Sequence, residues 1–206
     1  MSQLHPRRVF LVSGGLFLAL AVLVALVGVF PGDLAVRDSL LALATPPLVA
    51  FLRLVNRAGD WRVLLPGTLL LYVLPRARVH WMIWPALMVS APICEGLLKI
   101  TLARPRPEGV AYGFPSGHAT AAAAFFGALI YLSGFLAPRA RVLLRVGAAT
   151  VLILVALARV VLRAHWPSDV LGGIALGLAL AAAAALVDSL ERGRATTGAA
   201  LPNSRA

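Results

Sequence analysis

Long apolar segments, separated by short charged ones, are the feature that most limits how this chain can fold. Hydrophobic residues make up 60% of its 206 residues, charged residues only 13%, and the mean hydropathy is +0.89. A soluble domain of this size cannot bury so much apolar sequence in its core, so the composition indicates that a lipid bilayer is the solvent. The sequence therefore predicts an all-α, polytopic bundle of transmembrane helices.

Six segments are predicted to cross the membrane. They cover residues 9–30, 63–75, 79–98, 119–136, about 142–162 and 170–187. The first follows Arg7 and Arg8 as the apolar part of a signal peptide would, but it is long enough to span, so we expect a retained helix. The second is the weakest, because it reaches the roughly 20 residues that a bilayer requires only with its flanks.

Two further segments are expected to lie outside these spans. Residues 39–54 are apolar but contain Pro46 and Pro47, which favours an interfacial or re-entrant segment and leaves a full crossing as the alternative. Residues 193–206 are small, polar and contain proline, so they are predicted to form a disordered tail. Because no internal repeat or linker divides the chain, residues 1–192 are expected to form a single transmembrane domain.

The formal net charge of +11 comes from basic residues that lie in small groups between the apolar segments. This arrangement is typical of membrane loops and argues against nucleic-acid binding. The basic residues predicted to lie on one side of the membrane are Arg7, Arg8, Arg76, Arg78, Arg139, Arg141, Arg145, Arg192, Arg194 and Arg205. The positive-inside rule makes that side cytoplasmic, with both chain ends inside. The single cysteine, Cys94, excludes an internal disulfide and argues against a thiolate metal site.

Five basic residues break this rule, because they lie at the predicted outer ends of helices. They are Lys99, Arg104, Arg106, Arg159 and Arg163. Such a side chain costs roughly 2.5 to 3.5 kcal/mol at the bilayer centre on insertion scales, and crowding adds mutual repulsion. A cluster of this kind is expected only where an anion offsets its charge.

Three short segments bring reactive side chains to the same outer face. They contain Lys99 with Arg106, then Ser116, Gly117 and His118, and then Arg159, His165 and Asp169. Each segment has a simpler alternative, because an arginine here could be a topology anchor, and Ser116 or Asp169 could only cap a helix. Together, however, three cations, two histidines and a carboxylate are the groups that phosphoryl transfer requires.

Charge and backbone geometry suggest which residues bind the phosphate. Lys99, Arg106 and Arg159 would supply the positive charge, and an arginine can bind two oxygens at once. The backbone N–H groups of Ser116 and Gly117 would add an anion site at the start of a helix.

The histidines and the carboxylate suggest the chemistry itself. Asp169 would accept a proton from one ring nitrogen of His165 and leave the other nitrogen nucleophilic. His118 would donate a proton to the leaving oxygen and later take one from water. These three side chains could in principle bind zinc, but the surrounding cations argue against a metal.

The three segments resemble the three motifs of the type 2 phosphatidic acid phosphatase superfamily, KxxxxxxRP, PSGH and SRxxxxxHxxxD. The resemblance covers residues 79–187 and departs at Ala158, where the family usually has a serine. It implies a bundle of six membrane helices with the active site at the membrane surface. It also implies a phosphohistidine intermediate at His165, acid–base catalysis by His118, and neither a metal nor another cofactor.

The expected function is hydrolysis of a lipid phosphomonoester or diphosphate, with undecaprenyl diphosphate, phosphatidic acid and phosphatidylglycerol phosphate as candidate substrates. Membrane lipids are the expected partners, and the oligomeric state is left open. The active site is expected to face the periplasm or exterior of a bacterial inner membrane. A lipid phosphotransferase, a lipid A phosphatase and a non-catalytic anion-binding protein or transporter are the alternatives. Arg163 could contact a distal phosphate of the substrate or only lipid headgroups.

Overall fold

The computed structural model describes residues 5–199, which form helices joined by short loops. The α-helices are α1 (Pro6–Val27), α2 (Pro31–Ala42), α3 (Pro46–Asn56), α4 (Trp61–Gly67), α5 (Pro75–Val79), α6 (Ile83–Leu102), α7 (Gly117–Leu132), α8 (Pro138–Val161) and α9 (Pro167–Ala199). Short 3₁₀ helices cover Arg57–Gly59, Thr68–Val73 and Ser133–Phe135. Proline stands in the first turn of α1, α2, α3, α5 and α8, where its missing N–H costs no helical hydrogen bond.

Five helices are long and apolar enough to cross a membrane. They are α1, α6, α7 with the 3₁₀ turn that follows it, α8, and α9 as far as Arg194. Large apolar side chains such as Leu26, Ile100 and Leu143 are more than 70% exposed on the outside of the bundle. A soluble protein would bury such side chains, whereas lipid solvates them. The predicted all-α membrane bundle is therefore confirmed.

The weakest predicted span, residues 63–75, is a broken helix. It comprises α4, which contains Pro66, and the 3₁₀ helix Thr68–Val73. A 3₁₀ helix rises more per residue than an α-helix, so these thirteen residues reach about 22 Å. Gly59, just before them, packs against the backbone of His118 at the start of α7, and Arg76, just after them, hydrogen-bonds Tyr131 near its end. The segment therefore runs along the full length of α7.

Helices α2 and α3 form a bent pair that stays at one end of the bundle. The axes of Pro31–Ala42 and Pro46–Gly59 differ by 116°, with the break at the two prolines that the sequence pointed to. Leu40 and Leu52 both pack near Ala158 in the last turns of α8. Asn56, at the end of the pair, accepts a hydrogen bond from Arg159. The 116° bend and these contacts with the last turn of α8 agree with the re-entrant interpretation of residues 39–54, and a broken span stays the alternative.

Close packing of α7 against α9 forms the centre of the bundle. The facing surface of α7 is made of small side chains, and α9 contributes Gly173 and Gly177, one turn apart. A Cβ atom at Gly177 would lie 2.3 Å from the carbonyl oxygen of Thr120, and one at Gly173 would lie 2.5 Å from that of Ser116. Small residues are what allow membrane helices to approach so closely, because lipid supplies no hydrophobic drive for association.

A buried ion cluster holds the opposite end of the bundle together. The carboxylate of Asp188 in α9 is fully buried and accepts hydrogen bonds from His80, Tyr131, Arg76 and Arg192. These partners belong to α5, the α5–α6 connection, α7 and α9 itself. The cluster satisfies a buried charge and fixes the end that carries most of the basic loop residues.

Helix α9 is longer than the predicted span. It continues to Ala199, so residues 193–199 of the expected tail are helical, and residues 200–206 lie outside the described part of the chain. An ion pair between Arg194 and Glu191 stabilises the start of this extension beyond the apolar segment.

Replacing Gly177 with alanine tests the α7–α9 contact. The added methyl group must push the two helices apart, so we expect the free energy of unfolding to fall by about 1–3 kcal/mol. Thermal unfolding in detergent measures the change. Gly147→Ala is the matched control, because a Cβ atom at Gly147 in α8 meets nothing within 4 Å. Equal melting temperatures for the two variants would contradict this account of the packing.

Candidate active site

The ends of four helices and one loop bring the predicted site residues to the same end of the bundle. Lys99 lies in the last turn of α6, His118 in the first turn of α7, and Arg159 in the last turn of α8. His165 lies in the loop between α8 and α9, and Asp169 in the first turn of α9.

Electrostatic interactions show how near the predicted site residues lie to one another. His118 feels the charges of Lys99, Arg106 and Arg159, whereas His165 feels those of Arg106, Arg159 and Asp169. The two histidines, one in α7 and one in the loop before α9, thus both lie in the field of Arg106 and Arg159.

His165 is only 1% exposed and is fixed through its backbone and its ring. Its N–H donates to the carbonyl oxygen of Arg159 at 3.2 Å, which joins the loop to the end of α8. Its Nδ1 lies 3.5 Å from Oδ2 of Asp169 without forming a hydrogen bond, and it has no other hydrogen-bond partner among the described residues. The same oxygen accepts the backbone N–H of Trp166 at 3.0 Å. Asp169 therefore caps α9, as the simpler interpretation proposed, and also faces the imidazole.

The environment of His165 favours the neutral imidazole. The pKa of His165 is lowered from 6.5 to about 4, mainly by burial and also by the charges of Arg159 and Arg106, while Asp169 acts in the opposite direction. A neutral ring with Nδ1 turned toward a carboxylate leaves Nε2 unprotonated and able to act as a nucleophile.

Each predicted phosphate-binding cation has a partner that holds it in place. Arg159 is 9% exposed and donates from Nη1 to Asn56 at 2.9 Å, while its buried Nε has no partner among the described residues. Arg106 donates from Nε to the carbonyl oxygen of Tyr112 at 2.9 Å. Lys99 forms an ion pair with Glu95, one turn earlier in α6. These contacts limit the motion of the cations without consuming all their donors.

The expected anion site at the start of α7 needs one correction. The backbone N–H of Ser116 donates to the carbonyl oxygen of Asp169 at 2.9 Å, so it cannot also bind an anion. This hydrogen bond joins α7 to α9, and local sequence could not reveal a contact between residues so far apart in the chain. The hydroxyl of Ser116 is fully buried and has no partner in the described part of the chain. It does not cap the helix, so Oγ, next to Gly117, is the free donor at this position.

His118 is held against the re-entrant segment. A Cβ atom at Gly59 would lie 3.1 Å from the carbonyl oxygen of His118 and 2.6 Å from a methyl group of Val155. Only glycine fits between α7 and α8 at this point. Asp60, the next residue, opposes the charges of the cations at His118. The first N-terminal residues of α7 are thus positioned by a segment that the motifs do not include.

Three side chains near the site were missed by the motif analysis or left without a role. Asp33, Arg104 and Ser168 are 3%, 2% and 5% exposed, and they form a hydrogen-bonded cluster with Asp169. The sequence offered one signal, since Arg104 is one of the basic residues at an outer helix end. No local signal pointed to Asp33, because it precedes its partners by more than 70 residues.

No metal centre is evident in the part of the chain that the structure describes. Between residues 5 and 199, no three histidine, cysteine, aspartate or glutamate side chains come together in a group that could hold an ion. Of the two oxygens of Asp169, Oδ1 binds Arg104 and Oδ2 accepts the N–H of Trp166.

Comparison with known proteins identifies similar sequences and folds. A family model described as the PAP2 superfamily matches residues 80–191. Decaprenylphosphoryl-5-phosphoribose phosphatases from two strains of Mycobacterium tuberculosis are 32% identical over 167 residues, which cover 72% of this chain and 84% of theirs.

Two crystal structures share the fold. A transmembrane PAP2 type phosphatidylglycerolphosphate phosphatase from Bacillus subtilis superposes with a TM-score of 0.76 and is 25% identical in sequence. The match covers 90% of this chain and 96% of that one. Aquifex aeolicus LpxE has a TM-score of 0.57 and 20% identity, over 80% of this chain and 98% of that one.

An NMR titration of imidazole-labelled protein in detergent tests the environment of His165. We expect its ring to titrate with a pKa near 4, because burial disfavours the charged form. His165→Gln identifies the signal. A histidine in the unfolded chain takes up a proton near pH 6.5, whereas folded His165 does not. The contribution of His165 to stability should therefore decrease as the pH falls from 6.5 to 4. A ring that titrates at or above pH 6.5 would contradict this description.

Proposed function

Because the chain belongs to the PAP2 superfamily, whose members compared above include membrane phosphatases, we propose that it hydrolyses a lipid phosphate through a phosphohistidine formed at His165. The observation that carries this proposal is the buried imidazole of His165, with Nδ1 toward Asp169 and with cations around it. A neutral imidazole inside a positively charged pocket is suited to nucleophilic attack on the phosphorus of a bound phosphate.

The first chemical step transfers the phosphoryl group to the protein. Nε2 of His165 attacks phosphorus and forms the N–P bond, while the bond from phosphorus to the lipid oxygen breaks. Lys99, Arg106 and Arg159 stabilise the charge on the phosphoryl oxygens. His118 gives its proton to the leaving oxygen, so the lipid departs as an alcohol or, from a diphosphate, as a monophosphate.

The second step releases phosphate. His118, now neutral, takes a proton from water, the oxygen of that water attacks phosphorus, and the N–P bond breaks to restore His165. In both steps the carboxylate of Asp169 stabilises the positive charge that the phosphorylated imidazole carries. The net reaction consumes one water and leaves every protein group as it began.

We propose that this chemistry needs no metal ion. The carboxylate that would be the strongest metal ligand, that of Asp169, is shared between Arg104 and the N–H of Trp166. The cations of the pocket already supply the charge that Mg²⁺ or Zn²⁺ provides in other phosphatases.

The substrate that we propose is a phosphate on a lipid with a polar headgroup. The relatives are named for decaprenylphosphoryl-5-phosphoribose and for phosphatidylglycerolphosphate, in which a lipid carries the phosphate. A polar cavity of about 360 Å³ opens beside the site between α2 and the two loops that carry Arg106 and His165. It is lined by Arg37, Asp38, Leu41, Pro107, Glu108 and Arg163. Undecaprenyl diphosphate and phosphatidic acid stay candidates, because the motif residues bind only phosphate.

Arg163 supports the assignment of this cavity to the headgroup. Its backbone is left-handed, with φ of 56°, a conformation that favours glycine or asparagine. An arginine at such a position is costly unless its side chain has a use there. It pairs with Glu108 at 3.1 Å on the rim of the cavity, where both side chains are more than half exposed. We therefore propose that Arg163 contacts the headgroup of the substrate, a role that differs from both earlier alternatives, a distal phosphate of the substrate and surrounding lipid headgroups.

The proposed location is a bacterial inner membrane with the site on the outer side. Arg76, Arg145 and Arg192 make their contacts at the end of the bundle opposite His165. The positive-inside rule places that end in the cytoplasm.

Substitution of the histidines tests the mechanism. We expect His165→Gln to reduce phosphate release from phosphatidic acid, phosphatidylglycerol phosphate and undecaprenyl diphosphate by about 10³-fold or more, since no nucleophile remains. His118→Gln should cost about 10²–10⁴-fold, because the leaving oxygen receives no proton. Acid-labile radiolabel from labelled substrate should be trapped on the intact protein and be absent from His165→Gln. Full activity of His165→Gln would fit an anion-binding protein or a different nucleophile.

The same assay separates the remaining chemical alternatives. Radiolabelled phosphate released as inorganic phosphate indicates hydrolysis, whereas its appearance on an acceptor lipid indicates a phosphotransferase. Activity should be unchanged by a chelator. Loss of activity with the chelator and recovery with zinc would overturn the metal-free mechanism.

Arg163→Gln tests the headgroup cavity. Loss of one charged hydrogen bond should raise KM for a lipid with a large polar headgroup by about tenfold and leave kcat unchanged. Hydrolysis of a small soluble phosphate ester should be unaffected. Arg62→Gln is the control, because Arg62 stacks on Trp61 and does not line the cavity. Equal effects on both substrates would show that the cavity does not bind the headgroup.

A further inference from the structure

The carboxylate of Asp169 is bound by a cluster that includes residues outside the three motifs. The guanidinium of Arg104 donates from Nη1 to Oδ1 of Asp169 and, at 2.7 Å, to the hydroxyl of Ser168. From Nη2 it donates to Oδ2 of Asp33 at 2.5 Å. The backbone N–H and the hydroxyl of Ser168 both donate to Asp33, at 2.8 and 2.7 Å. All four side chains are at most 5% exposed.

We propose that Asp33 and Arg104 are positioning residues for the catalytic histidine, which hold the carboxylate of Asp169 in place and keep its net charge available to His165. The inference rests on the proposed function of His165 as the nucleophile. It assigns a catalytic purpose to an aspartate in α2, more than 45 residues before the segment that matches the family model.

The first argument concerns the orientation of the carboxylate. An arginine that faced Asp169 alone could bind both of its oxygens as a fork, which would draw Oδ2 away from the imidazole. Here Asp33 occupies the second half of the guanidinium. Only Oδ1 of Asp169 is bound by Arg104, and Oδ2 is left to the N–H of Trp166 and to Nδ1 of His165. Asp33 thus determines how Arg104 binds Asp169.

The second argument concerns charge. Arg104 and Asp169 by themselves would form a neutral pair, which could not stabilise a positive imidazole in a buried site. With Asp33 the cluster holds two carboxylates and one guanidinium, so one negative charge remains. Phosphorylation of His165 makes its ring positive, and that remaining charge lies where the positive charge forms. The other charges near the ring, those of Arg159 and Arg106, oppose it.

The third argument is that packing leaves no space for another orientation of the Asp169 carboxylate. A Cβ atom at Gly113 would lie 2.7 Å from Oδ2 of Asp169, and the N–H of Gly113 donates to the carbonyl oxygen of Arg104 at 2.7 Å. The ring of Phe30 covers the guanidinium, with Cζ 5.2 Å from its centre. Packing on each side therefore leaves the carboxylate one position, in which Oδ2 faces His165.

Asp33→Asn tests the inference, because it keeps the shape and removes the charge. We expect kcat for whichever of phosphatidic acid, phosphatidylglycerol phosphate and undecaprenyl diphosphate the intact protein hydrolyses to fall by about 10–100-fold. KM and the inhibition constant of inorganic phosphate should change by less than about threefold, because the phosphate-binding cations are untouched. Glu191→Gln is the matched control, because it makes the same change at a half-exposed carboxylate that pairs with Arg194 at the opposite end of the bundle.

Two further variants keep the test decisive if Asp33→Asn folds poorly. Ser168→Ala removes one small hydroxyl and should lower kcat several-fold with KM unchanged. Arg104→Lys keeps the charge, but a lysine cannot donate to both carboxylates and to Ser168 in one plane. The retained charge alone should therefore not preserve kcat. Melting temperature in detergent measures folding separately.

Each outcome decides between the inference and its alternatives. Unchanged kcat in folded Asp33→Asn and Ser168→Ala, or a loss that follows only the folded fraction, would show that the cluster is merely structural. His165→Gln, measured in parallel, distinguishes a failure of the proposed nucleophile from a failure of the positioning inference. If it is fully active, the proposed nucleophile is wrong. If it is inactive while Asp33→Asn keeps its kcat, only the positioning inference fails.

Discussion

The shared carboxylate of Asp169 is the interaction on which the rest of the site depends. It closes the first turn of α9, holds Arg104, and turns one oxygen toward His165. A fully buried charge is tolerated only when hydrogen bonds and an opposite charge satisfy it. Because these requirements are met from α2, from the loop after α6 and from α9, three distant parts of the chain must fold together before the imidazole has its environment.

The membrane fold serves this chemistry by aligning helix ends. Small residues allow α7 and α9 to approach until Gly177 lies against the backbone of Thr120. That contact places the start of α7, with His118, beside the start of α9. The Ser116 N–H then donates to the carbonyl oxygen of Asp169, which ties the two helix starts together. Among the described residues, the hydroxyl of Ser116 and Nε of Arg159 are buried without a hydrogen-bond partner, so both are available to a ligand at this end of the bundle.

The N-terminal part of the chain has more influence on the site than the motifs suggest. The bent pair α2–α3 supplies Asp33 to the cluster at Asp169 and Asn56 to Arg159. The same segment carries Arg37 on the wall of the polar cavity, over the ring of Trp166. The bent pair α2–α3 therefore contacts both the cluster at Asp169 and the polar cavity.

Hydropathy and spacing by themselves determined the membrane bundle, five of its long helices, the break at Pro46, and the residues of the three motifs, because these are local properties of the chain. Local pattern failed where partners are distant. It could not show that the N–H of Ser116 donates to the carbonyl oxygen of Asp169, or that Asp33, 135 residues before Ser168, lies at the site. Only the tertiary structure decided those contacts, since a buried charge takes whichever partner the packing brings to it.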